Sequence, residues 1–111
     1  MFTTITAGPY SIRGLSVAGI HTSLFVRELG VLFDVGIAGR GAASADNIFL
    51  SHSHADHCGA LVTLLGMRGL MRLPPARLFM PAEFSDALHE ALALFGRGQR
   101  HQFQFIAEPL L

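Results

Sequence analysis

Between Leu50 and Gly59 the chain reads Leu-Ser-His-Ser-His-Ala-Asp-His-Cys-Gly, which places His52, His54, Asp56 and His57 within six residues. On an extended backbone, residues two apart face the same way, so His52 and His54 can offer both imidazoles to one ion. Asp56 and His57 stand where an extended run gives way to a helical pattern. The backbone rotation there aims them differently, which suits a second ion beside the first. Neutral imidazole and carboxylate are the usual oxygen and nitrogen ligands of zinc, at roughly 2.0–2.2 Å. A packed core has no use for such a cluster, because each buried polar group needs a partner. The motif is therefore expected to bind zinc, as one or two ions.

The rest of the composition bounds what surrounds that motif. Eight basic residues balance eight acidic ones, so no broad basic surface of the kind nucleic-acid binders carry is present in the sequence. A metal ion can still supply positive charge locally. Cys58 stands alone, which excludes an internal disulfide. The N-terminus lacks the basic start and apolar core of a signal peptide. The most apolar stretch, Ala60 to Met80, is interrupted by three arginines and two prolines, so it is not read as a membrane span. The expectation is a cytoplasmic protein without membrane association. A mean hydropathy of +0.44 is high for 111 residues, whose surface claims a large share of the chain. Part of the apolar surface is expected to be covered by something outside this sequence.

The elements that must position the motif divide into two blocks. Phe2–Thr6, Ser11–Val17, Thr22–Arg27, Val31–Val35 and Asn47–Ser51 read as short strands, with turns at Ala18–His21 and Glu28–Gly30. Gly36, Gly39 and Gly41 mark a connection with room for one short helical turn. From Asp56, read as a helix cap, Ala60, Leu61, Leu64, Leu65 and Met67 recur at helical spacing until Pro74-Pro75. Arg77–Met80 reads as a strand and Pro81 as the first-turn residue of a second helix. Its apolar stripe is Phe84, Ala87, Leu88, Ala91, Leu92 and Phe95, with Gly96 and Gly98 ending it. Phe103, Phe105 and Ala107 alternate as a last strand. The order implies an α/β (α+β layered) fold, mostly antiparallel strands followed by helix–strand–helix–strand.

His-x-His-x-Asp-His followed by Gly59 resembles the signature of the metallo-β-lactamase fold superfamily. The segments Ser11–Ser23, Leu32–Gly36, Ile48–Leu61, Arg68–Leu70 and Leu73–Pro81 resemble the N-terminal part of short-form tRNase Z (ribonuclease Z), a likeness running from about Ser11 to Phe95. It implies that residues 1–111 are the first half of an αββα sandwich domain whose downstream half is absent. It also implies that His52 and His54 bind a first zinc, and Asp56 and His57 a second. Asp56 would orient or deprotonate the attacking water, and Asp34 would buttress the metal loop from a neighbouring strand. Two divalent ions lower the pKa of a shared water toward about 7 and neutralise charge building on a scissile phosphodiester.

The activity so implied is zinc-dependent endonucleolytic trimming of precursor tRNA at its 3′ end. The alternatives are another hydrolase of the same fold, acting on an ester, lactone, thioester or cyclic nucleotide, and a non-catalytic fragment that binds metal or a partner. Family members complete the site with downstream ligands, whereas His89 and His101 read here as surface residues. The isolated chain is accordingly expected to hold metal weakly, to be inactive, and to self-associate as a homodimer or larger species through its uncovered apolar face. Cys58 reads as a small buried residue, Arg68, Arg72 and Arg77 as solvated, and His21 as a surface turn residue.

Overall fold

Alternating β-branched and polar residues at the start of the chain fold into strands that pair with their sequence neighbours. The structure is a computed structural model and describes residues 3–17, 21–39, 41–51, 55–99 and 102–110; for Val17, His21, Ala55 and Asp56 only the backbone is described. The strands are β1 (Thr3–Ala7), β2 (Tyr10–Val17), β3 (His21–Val26), β4 (Val31–Phe33), β5 (Asn47–Phe49), β6 (Ala76–Pro81) and β7 (Phe105–Leu110). They form one sheet in chain order, antiparallel from β1 to β4 and parallel from β4 to β7. Antiparallel neighbours need only tight turns, and Gly8 at φ 61° supplies the positive angle for the two-residue turn between β1 and β2. Parallel neighbours need crossovers. These are supplied by a 3-10 turn at Ala42–Ser44, by the helices α1 (Ala55–Cys58) and α2 (Leu61–Leu70), and by α3 (Ala82–Gln99). The result is the α/β layered fold expected from the pattern.

Period-two alternation sorts the parallel strands into two unlike faces. Leu32, Ile48 and Leu78 are fully buried and share one core with Leu61 and Leu64 of α2 and Leu88 and Leu92 of α3. The opposite face carries Phe33, Phe49 and Phe79, directly paired across β4, β5 and β6. Their rings stack with centroids 5.4 and 4.4 Å apart. No helix covers this face among the described residues, and Phe33 remains 43% exposed. At its margin Arg77 lies over the Phe79 ring and pairs with Glu108 at 2.8 Å.

Several elements depart from the sequence expectation. The first helix is broken, with α1 ending at Cys58 and α2 beginning at Leu61. Val35 explains the break. Its N–H donates to the His57 carbonyl at 2.6 Å and its carbonyl accepts the Ala60 N–H at 2.9 Å, bonds that a continuous helix would have used internally. Asp56 is thus the second residue of α1 and not its cap. Pro81 closes β6 instead of opening α3. Helix α3 runs through Gly96 and Gly98 to Gln99, and it buries Ser85, Leu88, Leu92 and Gly96 while leaving Phe95 half-exposed. Eighteen helical residues span about 27 Å against about 20 Å for the six-residue strand beside them, so the end of the helix outruns the sheet. His21 begins β3 instead of sitting in a turn, and Phe103 is buried ahead of β7. Cys58 is half-buried against the core.

Arg68 is the largest departure, because it is 3% exposed where a solvated side chain was expected. Its guanidinium donates to the carbonyls of Ala43, Ala45 and Pro74 (the last at 2.8 Å) and to the Asp46 carboxylate at 2.9 Å. It therefore ties α2 to the connection that feeds β5. Replacing it by Met keeps much of the volume and leaves three carbonyls without a donor. Arg68→Met is expected to lower unfolding free energy by about 3 kcal/mol. Urea unfolding checks this, and an unchanged midpoint would show that water replaces the guanidinium.

Candidate metal-loop site

The candidate site forms where β4 and β5 end side by side, at the carboxyl ends of the parallel strands. Ligand sites of open α/β sheets favour such crevices. Immediately after Phe33 the backbone turns at Asp34, which adopts φ 65°, a left-handed angle that few residues other than glycine accept and that aspartate tolerates better than most. The turn is stitched on three sides. Asp34 N–H donates to Phe49 O at 2.8 Å, Val35 N–H to His57 O, and Gly36 N–H to Thr22 O at 2.8 Å.

Its carboxylate is 6% exposed as a residue and accepts three hydrogen bonds. Ser51 supplies two, from its backbone N–H at 2.7 Å and from its hydroxyl at 2.6 Å. The third comes from His57 Nδ1 at 2.8 Å. An ionised carboxylate can only accept, so Nδ1 is the donor here, and whenever the ring is neutral its lone pair sits on Nε2. Metal-binding histidines commonly give their other N–H to a carboxylate in this way, which fixes tautomer and ring orientation. His57 thus fits a ligand that acts through Nε2, and this geometry is the observation against which zinc can be tested.

The structure brings Asp34 and His57 together and adds Ser51, which sequence reasoning did not single out. Ser51 is the second residue beyond β5, so strand pairing sets it against Asp34 across 17 positions. A Ser immediately before the histidine motif was the only local signal. His52 and His54 lie outside the described residues, as does His101; Asp56 is placed by its backbone within α1. No group of three or more metal-ligating side chains is seen among the described residues. His89 is exposed on α3, with Nδ1 2.9 Å from the Ser85 carbonyl. Beside Asp34 and Ser51 a cavity of about 540 Å³ opens along the phenylalanine face, reaching Phe33, Phe49, Phe79 and Glu83.

No protein-family model matches the chain. Three curated proteins are similar to it. It is 37% identical over 79 residues to tRNase Z TRZ1 of Arabidopsis thaliana, a match covering 71% of this chain and 28% of that protein. It is 34% identical over 85 residues to the chloroplastic tRNase Z TRZ2 of the same plant, covering 77% and 24%. It is 38% identical over 72 residues to nuclear ribonuclease Z of Triticum aestivum, covering 65% and 41%. The chain therefore spans between about a quarter and two fifths of the length of these relatives. No helix among the described residues is long and apolar enough to cross a membrane.

The carboxylate clamp gives a direct test. Asp34→Asn keeps a residue that tolerates the left-handed angle, but an amide nitrogen then replaces one acceptor oxygen. Stability is expected to fall by roughly 1–3 kcal/mol, and the His57 ring should lose its preference for the Nδ1–H tautomer. Nitrogen chemical shifts of the imidazole read the second effect; an unaltered tautomer would mean that Asp34 does not orient the ring.

Proposed function

From a tRNase Z-like chain in which a buried carboxylate orients the last histidine of a His-x-His-x-Asp-His motif, we propose a metal-dependent ribonuclease part that acts on precursor tRNA. The observation that carries this reading is the Asp34–His57 hydrogen bond at the carboxyl ends of the parallel strands. His52 and His54 would hold one zinc ion, and Asp56 and His57 a second. Bound zinc would acidify a water molecule and neutralise charge on the scissile phosphodiester. Asp56 would orient that water and accept its proton. Asp34 and Ser51 do not reach substrate in this scheme; they hold the His57 ring in one tautomer. The residues present amount to one part of a domain, and the rest of the site would come from chain corresponding to the longer relatives. Hydrolysis of a small ester or cyclic nucleotide would draw on the same groups, but the tRNase Z names of the relatives favour RNA.

A second reading concerns these 111 residues on their own. The uncovered face bearing Phe33, Phe49 and Phe79 favours self-association, since an apolar patch of that extent is unstable in water. In this reading two copies bury the face and the chain binds zinc without turnover.

One set of measurements tests both. Zinc per chain is determined on gel-filtered protein, with the eluted mass read from the same run and cleavage of precursor tRNA assayed on the pooled peak. Zinc that is retained by the wild type and lost in His52→Ala and Asp56→Ala would support the metal assignment. Equal zinc in wild type and variants would sink it. A dimeric mass without cleavage favours the second reading, whereas cleavage abolished by Asp56→Ala favours the first.

A further inference from the structure

The sheet face that is apolar beneath α2 and α3 becomes partly polar where it continues into β2 and β3. Positions that alternate inward are Leu32, Ile48 and Leu78 in the parallel strands, but Ser11, Arg13 and the buried Leu15 in β2 and Ser23 and Phe25 in β3. Arg13 and Phe25 are direct cross-strand partners, with Ser23 two residues before Phe25 and Arg27 two after it. These side chains line one wall of a cavity of about 460 Å³. The glycine-containing connection after Asp34 forms the other wall, through Ile37, Gly39 and Gly41. A Cβ placed on Gly39 or Gly41 would meet no atom within 4 Å, so neither glycine is there for want of space in the fold.

Ser23 is the telling residue. It is 4% exposed, and no side-chain hydrogen bond to it is found among the described residues. A buried hydroxyl is ordinarily satisfied. Every fully enclosed side-chain polar atom among the described residues has a partner, so the Ser23 hydroxyl meets the cavity. Glu28 stands at the Ser11 end, where its carboxylate accepts the Ser11 N–H at 2.6 Å. That hydrogen bond holds the Glu28 carboxyl below its ordinary value of 4.5. The lining brings the guanidinium groups of Arg13 and Arg27 to one cavity, with the Glu28 carboxylate at its rim.

We propose that this cavity is a binding site for a small phosphate-bearing ligand of mononucleotide size, separate from the histidine motif. Its volume lies within the roughly 300–1,000 Å³ of small-molecule sites. Arginine forks match phosphate oxygens, serine hydroxyls complete the donor set, and Phe25 and Ile37 offer an apolar wall to the organic part. The proposal does not rest on metal binding.

The test titrates the full chain, with EDTA present so that metal-bound phosphate does not contribute, while backbone amide resonances are followed by NMR. The probes are adenosine 5′-monophosphate, orthophosphate and adenosine. Adenosine 5′-monophosphate is expected to give saturable shifts at Ser23, Phe25, Gly39 and Gly41. Arg13→Ala and Arg27→Ala together should weaken it at least about tenfold, the loss expected for a charge-assisted contact. Both arginines are exposed, and Ser23→Ala serves as a conservative second variant expected to weaken binding less. Orthophosphate binding as tightly as the nucleotide supports a bare phosphate site, and weaker orthophosphate binding supports recognition of the nucleoside as well. No saturable shift at those amides overturns the proposal. So do adenosine binding equally well and an arginine double variant of unchanged affinity.

Discussion

The carboxylate of Asp34 is the constraint on which the site depends. A non-glycine residue at φ 65° turns the chain out of β4, and the turn persists because each oxygen of its side chain is occupied. One residue thereby fixes the end of β5 through Ser51, the imidazole of His57, and the start of the connection that walls the second cavity. Val35, the next residue, then interrupts what would be a single helix by taking one hydrogen bond at each side of the gap. The strained angle, the broken helix and the oriented histidine are one arrangement seen from three sides.

The sheet divides its labour by face. Leucine, isoleucine and methionine side chains packed beneath two helices supply the cohesion, with Arg68 as a charged tie whose hydrogen-bonding groups are met by carbonyls and one carboxylate. The other face presents a phenylalanine ladder whose rings stack at strand spacing and which no described element covers. An apolar ladder of this kind is consistent with the high mean hydropathy of the chain and with relatives roughly one and a half to three times its length.

Much of this was legible in the residues. Alternation marked the strands of the first block, helical spacing marked the two helical segments, and their order implied the layered α/β arrangement. The histidine–aspartate cluster stood out because its residue types have no structural use at that density. Where the reading missed, the cause was a contact distant in sequence. The break after Cys58 depends on Val35, 23 residues earlier. The burial of Arg68 depends on carbonyls at 43, 45 and 74. The shifted stripe of α3 depends on where the sheet stops, which no periodicity within the helix records.

By itself, then, the sequence determined which segments are strands and helices, and which residue types converge at one loop. Local propensity and patterning act over a few residues, and those features are local. Tertiary structure alone decided that Asp34 faces Ser51 and His57, that Arg68 is interior, and that inward positions of β2 and β3 line a partly polar cavity at the margin of the core. Those outcomes follow from strand register and from the pairing of buried polar groups. Both are settled only when distant parts of the chain compete for the same hydrogen bonds.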